Sequence, residues 1–214
     1  MELDSVQIGA ADVETAAAAY RLLLGLDSAL LGGVHRFQLA HGAIEIELGE
    51  PGVRSIRFVG QPPPGWPDSF HGLTVRAGSP AGVLSGTDGL AIDHIVVRTP
   101  DPDRAIRLWR DRVGLRLALD RTFPDRGLRL VFFRSAGMTL EFAGADPPPA
   151  DRSEPDQLWG VSYRVPDLAA RRERLRAAGV DVSPVRPGMR PGTSVVTVRS
   201  GTAGVPTLLL GVDR

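Results

Sequence analysis

The feature that most constrains the fold is a pattern that occurs three times: a short strand, an aspartate at a turn, and a helix that ends at glycine. The clearest copy has a strand over residues 91–98, a turn at Pro100-Asp101, and a helix beginning near Arg104. Related stretches begin near residues 3 and 158. Aspartate is a favoured residue immediately before a helix, so each copy has a defined helix start. The repetition predicts a fold built from equivalent units.

The first two copies match without gaps when Asp12 is laid on Asp101. The matched pairs are Ala16 with Ala105, Tyr20 with Trp109, Gly25 with Gly114, and Leu26 with Leu115. Each helix is followed by a predicted β-hairpin, at 36–48 in the first copy and 129–142 in the second. The predicted order in each unit is therefore β-α-β-β-β, with 29–31 as the extra strand in the first copy.

The remaining segments complete the organisation. The third copy runs over 158–211, and a degenerate fragment with predicted strands at 55–59 and 71–75 separates the first two copies. The proline-rich segment within that fragment cannot form a regular helix. We predict an α+β chain with an N-terminal part at 1–78, joined near 77–89 to a larger domain at 90–214. The larger domain would contain two modules, 90–143 and 158–211.

Composition limits the chemistry. The chain has no cysteine, and all 25 of its basic residues are arginine. Thiolate nucleophiles, thiolate metal sites and lysine Schiff bases are therefore excluded. The formal net charge is zero, so no nucleic-acid or membrane partner is expected. The first five residues lack the features of a secretory signal, and a cytoplasmic protein is expected.

Three motifs resemble the vicinal oxygen chelate superfamily, which includes glyoxalases, bleomycin resistance proteins and extradiol dioxygenases. They are Asp-His-Ile-Val-Val at 93–97 with its Pro-Asp turn, the helix ending in Gly-Leu at 114–115, and Thr-Leu-Glu-Phe at 139–142. The resemblance covers 91–211 well and 3–59 more loosely. It implies βαβββ modules forming an open mixed β-barrel, with a partial N-terminal copy. It also implies a small organic ligand or substrate and one divalent metal ion, such as Zn, Mn, Fe, Ni or Mg.

Strand alternation adds to the resemblance. His94 and Glu141 are predicted to face one cavity, because alternate residues of a strand share a face. An imidazole and a carboxylate are suitable metal ligands, and they can also move a proton. We predict both residues as catalytic or metal-binding. The predicted cavity lining consists of Val96, Arg98, Arg129 and Phe133.

The predicted metal set is incomplete. The Pro-Asp turn aligns Gly160 with His94, and the last strand aligns Leu209 with Glu141. In the N-terminal copy, Ser5 takes the histidine position and Glu47 is matched to the glutamate. The other three histidines, at 35, 41 and 71, lie near turns and are predicted at the surface.

Two functions remain open from the sequence. One is a glyoxalase-like protein that binds a small organic molecule, with His94 and Glu141 as the remnant of a metal site. The alternative is a metal-dependent lyase, isomerase or dioxygenase that uses the same pair, which could also act as a metal-free acid and base. A homodimer is predicted, because the incomplete N-terminal unit should leave a sheet edge unpaired.

Overall fold

The computed structural model describes residues 1–80 and 89–213. The N-terminal module is built from one helix and four strands. They are β1 (Glu2–Ala10), α1 (Val13–Leu24), β2 (Ala29–Leu31), β3 (Val34–Gln38) and β4 (Ala43–Leu48). Helix α1 starts as predicted, because the Asp12 carboxylate accepts a hydrogen bond from the backbone N–H of Thr15 at 3.0 Å. It ends at Gly25, which adopts the left-handed conformation at φ 65°.

The degenerate fragment extends this module into one sheet. Strand β5 (Gly52–Val59) pairs antiparallel with β1, and β6 (Val75–Gly78) pairs parallel with β5. The resulting six-stranded sheet has the order β2-β3-β4-β1-β5-β6. The opening strand of the fragment lies where it was predicted. The later strand was predicted at 71–75 but only begins at residue 75, after an isolated bridge between Phe70 and Leu73.

The second and third modules form the larger sheet. The second contains β7 (Ala91–Arg98), α2 (Pro102–Ile106), β8 (Arg116–Phe123), β9 (Leu128–Ser135) and β10 (Met138–Ala145). The third contains β11 (Gln157–Arg164), α3 (Leu168–Ala177), β12 (Arg186–Pro187), β13 (Thr193–Val198) and β14 (Thr207–Val212). The strand order is β12-β13-β14-β11-β7-β10-β9-β8, with β7 and β11 antiparallel at the centre. The predicted α+β class with repeated modules is confirmed. The predicted boundaries at 78 and 90 stay predictions, and residues 81–88 of the predicted joint lie outside the described part.

The helix of the second module departs from the regular helix that was predicted. After α2 the chain continues as a π-helix over Arg107–Arg112, in which the Val113 N–H bonds to the Leu108 carbonyl. The wider turn accommodates one extra residue, and the consecutive residues Leu108 and Trp109 are both buried. Periodicity of 3.6 residues cannot anticipate this local change.

Aromatic side chains connect the two sheets. Trp66, Phe70, Trp109, Phe142 and Phe133 form a continuous series of ring contacts with centroids 5.1 to 5.8 Å apart. This series joins the segment before β6 to the helix and sheet of the second module, within a single hydrophobic core. None of the helices described in 1–80 and 89–213 is long and apolar enough to cross a membrane.

A second connection joins α1 to the third module. Tyr20 of α1 donates a hydrogen bond to the Thr202 carbonyl at 3.2 Å. Arg171 of α3 donates to the Leu23 carbonyl at 3.0 Å, near the end of α1. The N-terminal module is therefore packed directly against α3 and the chain that follows it.

Candidate functional site

The central strands of the eight-stranded sheet bring His94 and Glu141 together. Strands β7 and β10 are parallel neighbours, with His94 beside Thr139 and Val96 beside Glu141. The two side chains therefore share one face, which we call the site face. His94 Nε2 lies 3.7 Å from Glu141 Oε2, and the two side chains are 18% and 17% exposed.

Asp93 completes the cluster, and sequence reasoning missed it. Its Oδ2 lies 3.0 Å from His94 Nδ1, on the opposite side of the imidazole from Glu141. Strand alternation would direct adjacent residues to opposite faces. However, the β7–β11 pairing is irregular here, since Ser162 pairs with His94 while Tyr163 pairs with Ile92. Asp93 is the extra residue of this bulge, so its carboxylate can reach the ring of the next residue.

The surroundings shift the pKa values of the two carboxyl groups in opposite directions. Burial raises the pKa of Glu141 above its ordinary value, and the nearby charge of His94 only partly offsets this effect. Burial opposes ionisation of Asp93 too, but the hydrogen bond and charge of His94 outweigh it, with help from Arg164 and Arg190, and lower its pKa. Asp93 is thus the more readily ionised of the two, and Glu141 retains its proton more strongly.

Two of the predicted lining residues lie on the site face. Val96 is beside Glu141 in the β7–β10 pairing and is 9% exposed. Arg98 is two residues further along the same face, and its guanidinium stacks over the Trp159 ring at 4.4 Å from the ring centroid. Phe132 lies opposite Glu141 in the β9–β10 pairing and therefore belongs to this face.

The other two predicted lining residues lie on the opposite face, against the helices. Phe133 pairs with Leu140, is fully buried, and packs edge-to-face on Phe142. Arg129 forms ion pairs at 2.9 Å with Asp103 of α2 and at 2.7 Å with Asp120 of β8. Their predicted place in the cavity wall is wrong. These residues were assigned to strands before the pairing between the strands was known. A shift of one residue in that pairing moves every side chain of a strand to the other face of the sheet.

The third module keeps Gly160 at the predicted position but has Leu208, not Leu209, at the position of Glu141. Gly160 lies on the site face opposite Val96, and Ser162 lies opposite His94. Leu209 pairs with the buried Tyr163 on the helix side, while Leu208 pairs with Ser162 on the site face. Neither assignment supplies a charged ligand. Ser162 offers a hydroxyl, and Leu208 offers only apolar surface.

The residues present provide about half of a metal site. Two ligands of one tetrahedral ion stand about 3.4 Å apart, and the separation of His94 Nε2 and Glu141 Oε2 is 3.7 Å, so this pair could serve as two neighbouring ligands. Asp93 cannot join them at the same ion, since it bonds the other ring nitrogen. Within residues 1–80 and 89–213, no group of three or more His, Cys, Asp or Glu side chains is placed to hold a metal ion. A complete protein-supplied site is not present in that part of the chain.

The N-terminal module has its glutamate at a different residue from the one predicted. Glu45 pairs with Gln7, which reproduces the pairing of Glu141 with Val96, whereas Glu47 pairs with Gly9. Ser5 does lie at the histidine position, beside Ala43. Glu45 is therefore the counterpart of Glu141.

The remaining histidines are divided between surface and interior. His41 and His71 are exposed, as predicted. His35 is 5% exposed, which contradicts its predicted surface position. Its ring bonds the Ser28 hydroxyl at 2.9 Å and the Glu14 carboxylate at 3.0 Å, and these two partners allow a polar ring to be buried.

Comparison with known proteins gives a family match and a named relative. Residues 93–197 match the Glyoxalase/Bleomycin resistance protein/Dioxygenase superfamily. An ethylmalonyl-CoA/methylmalonyl-CoA epimerase from Cereibacter sphaeroides is 27% identical over 97 residues, covering 42% of this chain and 72% of that protein.

Two methylmalonyl-CoA epimerases are among the solved structures to which this chain is similar. The Mycobacterium tuberculosis protein is 21% identical with a TM-score of 0.48, covering 61% of this chain and 94% of that chain. A Streptomyces coelicolor protein, in complex with 2-nitronate-propionyl-CoA, is 19% identical with a TM-score of 0.46, covering 56% of this chain and 93% of that chain.

Proposed function

Because residues 93–197 belong to the glyoxalase/bleomycin resistance protein/dioxygenase superfamily, we propose that this chain binds a small organic molecule on the site face of its larger sheet. The observation that carries the proposal is the half-buried Asp93–His94–Glu141 cluster at the centre of that face. Val96 and Phe132 provide apolar surface beside it, and Ser162 provides a hydroxyl. A few polar groups within apolar surroundings are the usual composition of a ligand site.

The metal site is degenerate in this proposal. His94 and Glu141 would supply two ligands when an ion is bound, which gives weak binding unless ligand or water supplies the others. A bound ion would polarise a ligand oxygen. No step is routed through the ion, since the donors within residues 1–80 and 89–213 do not complete a coordination shell.

Elemental analysis of the purified protein tests this proposal. We expect well under one equivalent of any transition metal, and no rise in melting temperature when Zn, Mn, Ni or Mg is added. The variant His94→Ala should leave metal content unchanged, as should the control His41→Ala at an exposed histidine. One tightly held equivalent that is lost in His94→Ala alone would show that the site is a working metal centre.

A second candidate is an isomerase or epimerase that moves a proton at a carbon beside a carbonyl group. Two features of the cluster favour it. The raised pKa of Glu141 brings a carboxyl group closer to the range where it can exchange a proton, and Asp93 fixes the orientation of the His94 ring. The C. sphaeroides relative is named as an epimerase of ethylmalonyl-CoA and methylmalonyl-CoA.

The proposed chemistry needs two groups near one carbon. One group removes the proton and the other returns a proton to the opposite face of the resulting enolate. Glu141 is the candidate base and His94 the candidate acid, with a bound substrate moving their reacting atoms apart from the present separation of 3.7 Å. Asp93 would act as a positioning residue, because its hydrogen bond to Nδ1 leaves Nε2 directed toward Glu141.

Isotope exchange separates this candidate from simple binding. Ethylmalonyl-CoA and methylmalonyl-CoA would be incubated with the protein in D2O, and deuterium at the carbon between the two carbonyls followed by mass spectrometry. We expect exchange with the wild type and a loss of about 10²–10⁴-fold in Glu141→Gln, the usual contribution of one general acid or base. His41→Ala should behave as wild type. Exchange that is unchanged in Glu141→Gln would contradict the assignment, and saturable binding without exchange would leave binding as the function.

A further inference from the structure

A buried arginine in the N-terminal module stands in the region that corresponds to the site of the second module. The β1–β4 pairing places Gln7 beside Glu45, as β7–β10 places Val96 beside Glu141. In the next strand, Arg36 lies opposite Glu45. Phe132 holds the equivalent position opposite Glu141. The two modules can therefore be compared residue by residue.

The guanidinium of Arg36 bridges two carboxylates. Its Nη1 lies 2.5 Å from Glu45 Oε1, and its Nη2 lies 3.0 Å from Asp4 Oδ1. Nη2 also donates to the Asp4 carbonyl at 3.2 Å, and the Ser5 hydroxyl donates to Glu45 Oε2 at 3.0 Å. All four residues are buried, and Arg36 is only 2% exposed. A guanidinium carries several N–H donors in a rigid plane, which suits it to bonding two carboxylates and a carbonyl oxygen together.

The same geometry occurs around His94, with a different bridging group. Asp4 and Asp93 each lie at an irregularity of the first strand, immediately before the position of Ser5 or His94. In the second module the imidazole spans the distance between the two carboxylates. A serine is too short to do so, and Arg36 reaches in from β3 instead.

We infer that Arg36 is the built-in occupant of the N-terminal module's site. Its guanidinium fills the space between Asp4 and Glu45 and offsets one of their two negative charges, with Arg57 Nε 4.0 Å from the other Asp4 oxygen, so this module takes up no external ligand. Of these two module sites, the one in the larger domain stays open, and its His94 and Glu141 side chains are 18% and 17% exposed. The vacated N-terminal site would accept a small planar cation, such as guanidinium or an amidine.

Removal and replacement of the guanidinium tests this inference. We expect Arg36→Ala to lower the melting temperature by roughly 6–20 °C, since it removes the cation that pairs with the buried Glu45 and Asp4 carboxylates. Millimolar guanidinium chloride should then raise the melting temperature of the variant saturably, relative to sodium chloride at the same ionic strength. The wild type should show no such rise, because its site is already filled.

Arg171→Ala is the matched control. Arg171 is also buried, at 8% exposure, but its guanidinium donates to the Leu23 carbonyl rather than to a carboxylate. Its vacated space should bind guanidinium far less. Absence of rescue in Arg36→Ala, or equal rescue in Arg171→Ala, would overturn the inference.

A pair of variants covers the case in which Arg36→Ala does not fold. Arg36→Met leaves Glu45 without a partner cation, whereas Arg36→Met with Glu45→Gln removes that charge as well. We expect the double variant to melt at a higher temperature than Arg36→Met, and to show no saturable response to guanidinium. A double variant that is no more stable than Arg36→Met would contradict the role of Arg36 as the cation of a carboxylate site.

Discussion

The contact between Gly25 and Arg171 gives a quantitative test of how the N-terminal module is joined to the third module. Gly25 ends α1 in the left-handed conformation, and its N–H bonds to the Arg21 carbonyl at 2.7 Å. A Cβ added at Gly25 would lie 2.3 Å from Arg171 Nη1. Gly25→Ala must therefore displace the guanidinium that bonds the Leu23 carbonyl.

Two costs add in this variant. Alanine in the left-handed conformation costs about 1 kcal/mol relative to glycine. Loss of a hydrogen bond from a charged donor costs about 1.5–3 kcal/mol. We therefore expect Gly25→Ala to lower the free energy of unfolding by about 2.5–4 kcal/mol. Gly179→Ala is the matched control, since Gly179 has φ +78° but no atom within 4 Å of an added Cβ, and should cost about 1 kcal/mol.

Urea unfolding of a double-mutant cycle measures the difference. In an Arg171→Ala background the guanidinium is absent, so Gly25→Ala should then cost only about 1 kcal/mol. The coupling energy between the two positions should be about 1.5–3 kcal/mol. Additive effects, or equal costs for Gly25→Ala and Gly179→Ala in the wild-type background, would refute the proposed displacement.

Three further outcomes are expected. At neutral pH, Glu141→Gln should have a higher free energy of unfolding than the wild type, because burial in the folded state opposes ionisation of the Glu141 carboxyl. This difference should disappear as the pH falls below 4.5, the ordinary pKa of a glutamate. Urea unfolding measured over this pH range checks it. Trp109→Ala should lower the free energy of unfolding by about 3–5 kcal/mol, since the side chain is fully buried, whereas Trp109→Phe should cost less; thermal and urea unfolding test both. The predicted homodimer should give twice the monomer mass by light scattering, because β2 and β6 end the six-stranded sheet with one side of each strand unpaired.

Local signals in the sequence were sufficient for the elements and their order. The aspartates at 12, 101 and 167 each accept a hydrogen bond from the N–H three residues later, as a helix cap requires. Gly25 ends its helix in the conformation that favours glycine. These features depend on a few adjacent residues, so the repeat could be recognised without knowledge of the tertiary structure.

Assignments that depend on strand register were less successful. Arg129, Phe133 and Leu209 were placed on the wrong face, and Glu47 was matched where Glu45 belongs. Asp93 was not predicted as a site residue, because only a bulge in the strand brings its carboxylate beside His94. Register and bulges are set by pairing between distant strands, which a single sequence does not specify.

The contact between Tyr20 and the third module should be visible in the ultraviolet absorbance of the protein. The chain has two tyrosines, Tyr20 and Tyr163, and both are fully buried and interact with each other. Burial raises the pKa of both phenols above 10.0, so each is held neutral by the folded structure. Above pH 10.0 the unfolded state ionises more easily than the folded state, so stability falls as the pH rises, and phenolate absorbance should appear only when α1 separates from β11. An alkaline spectrophotometric titration would thus report separation of α1 from β11 with no added label.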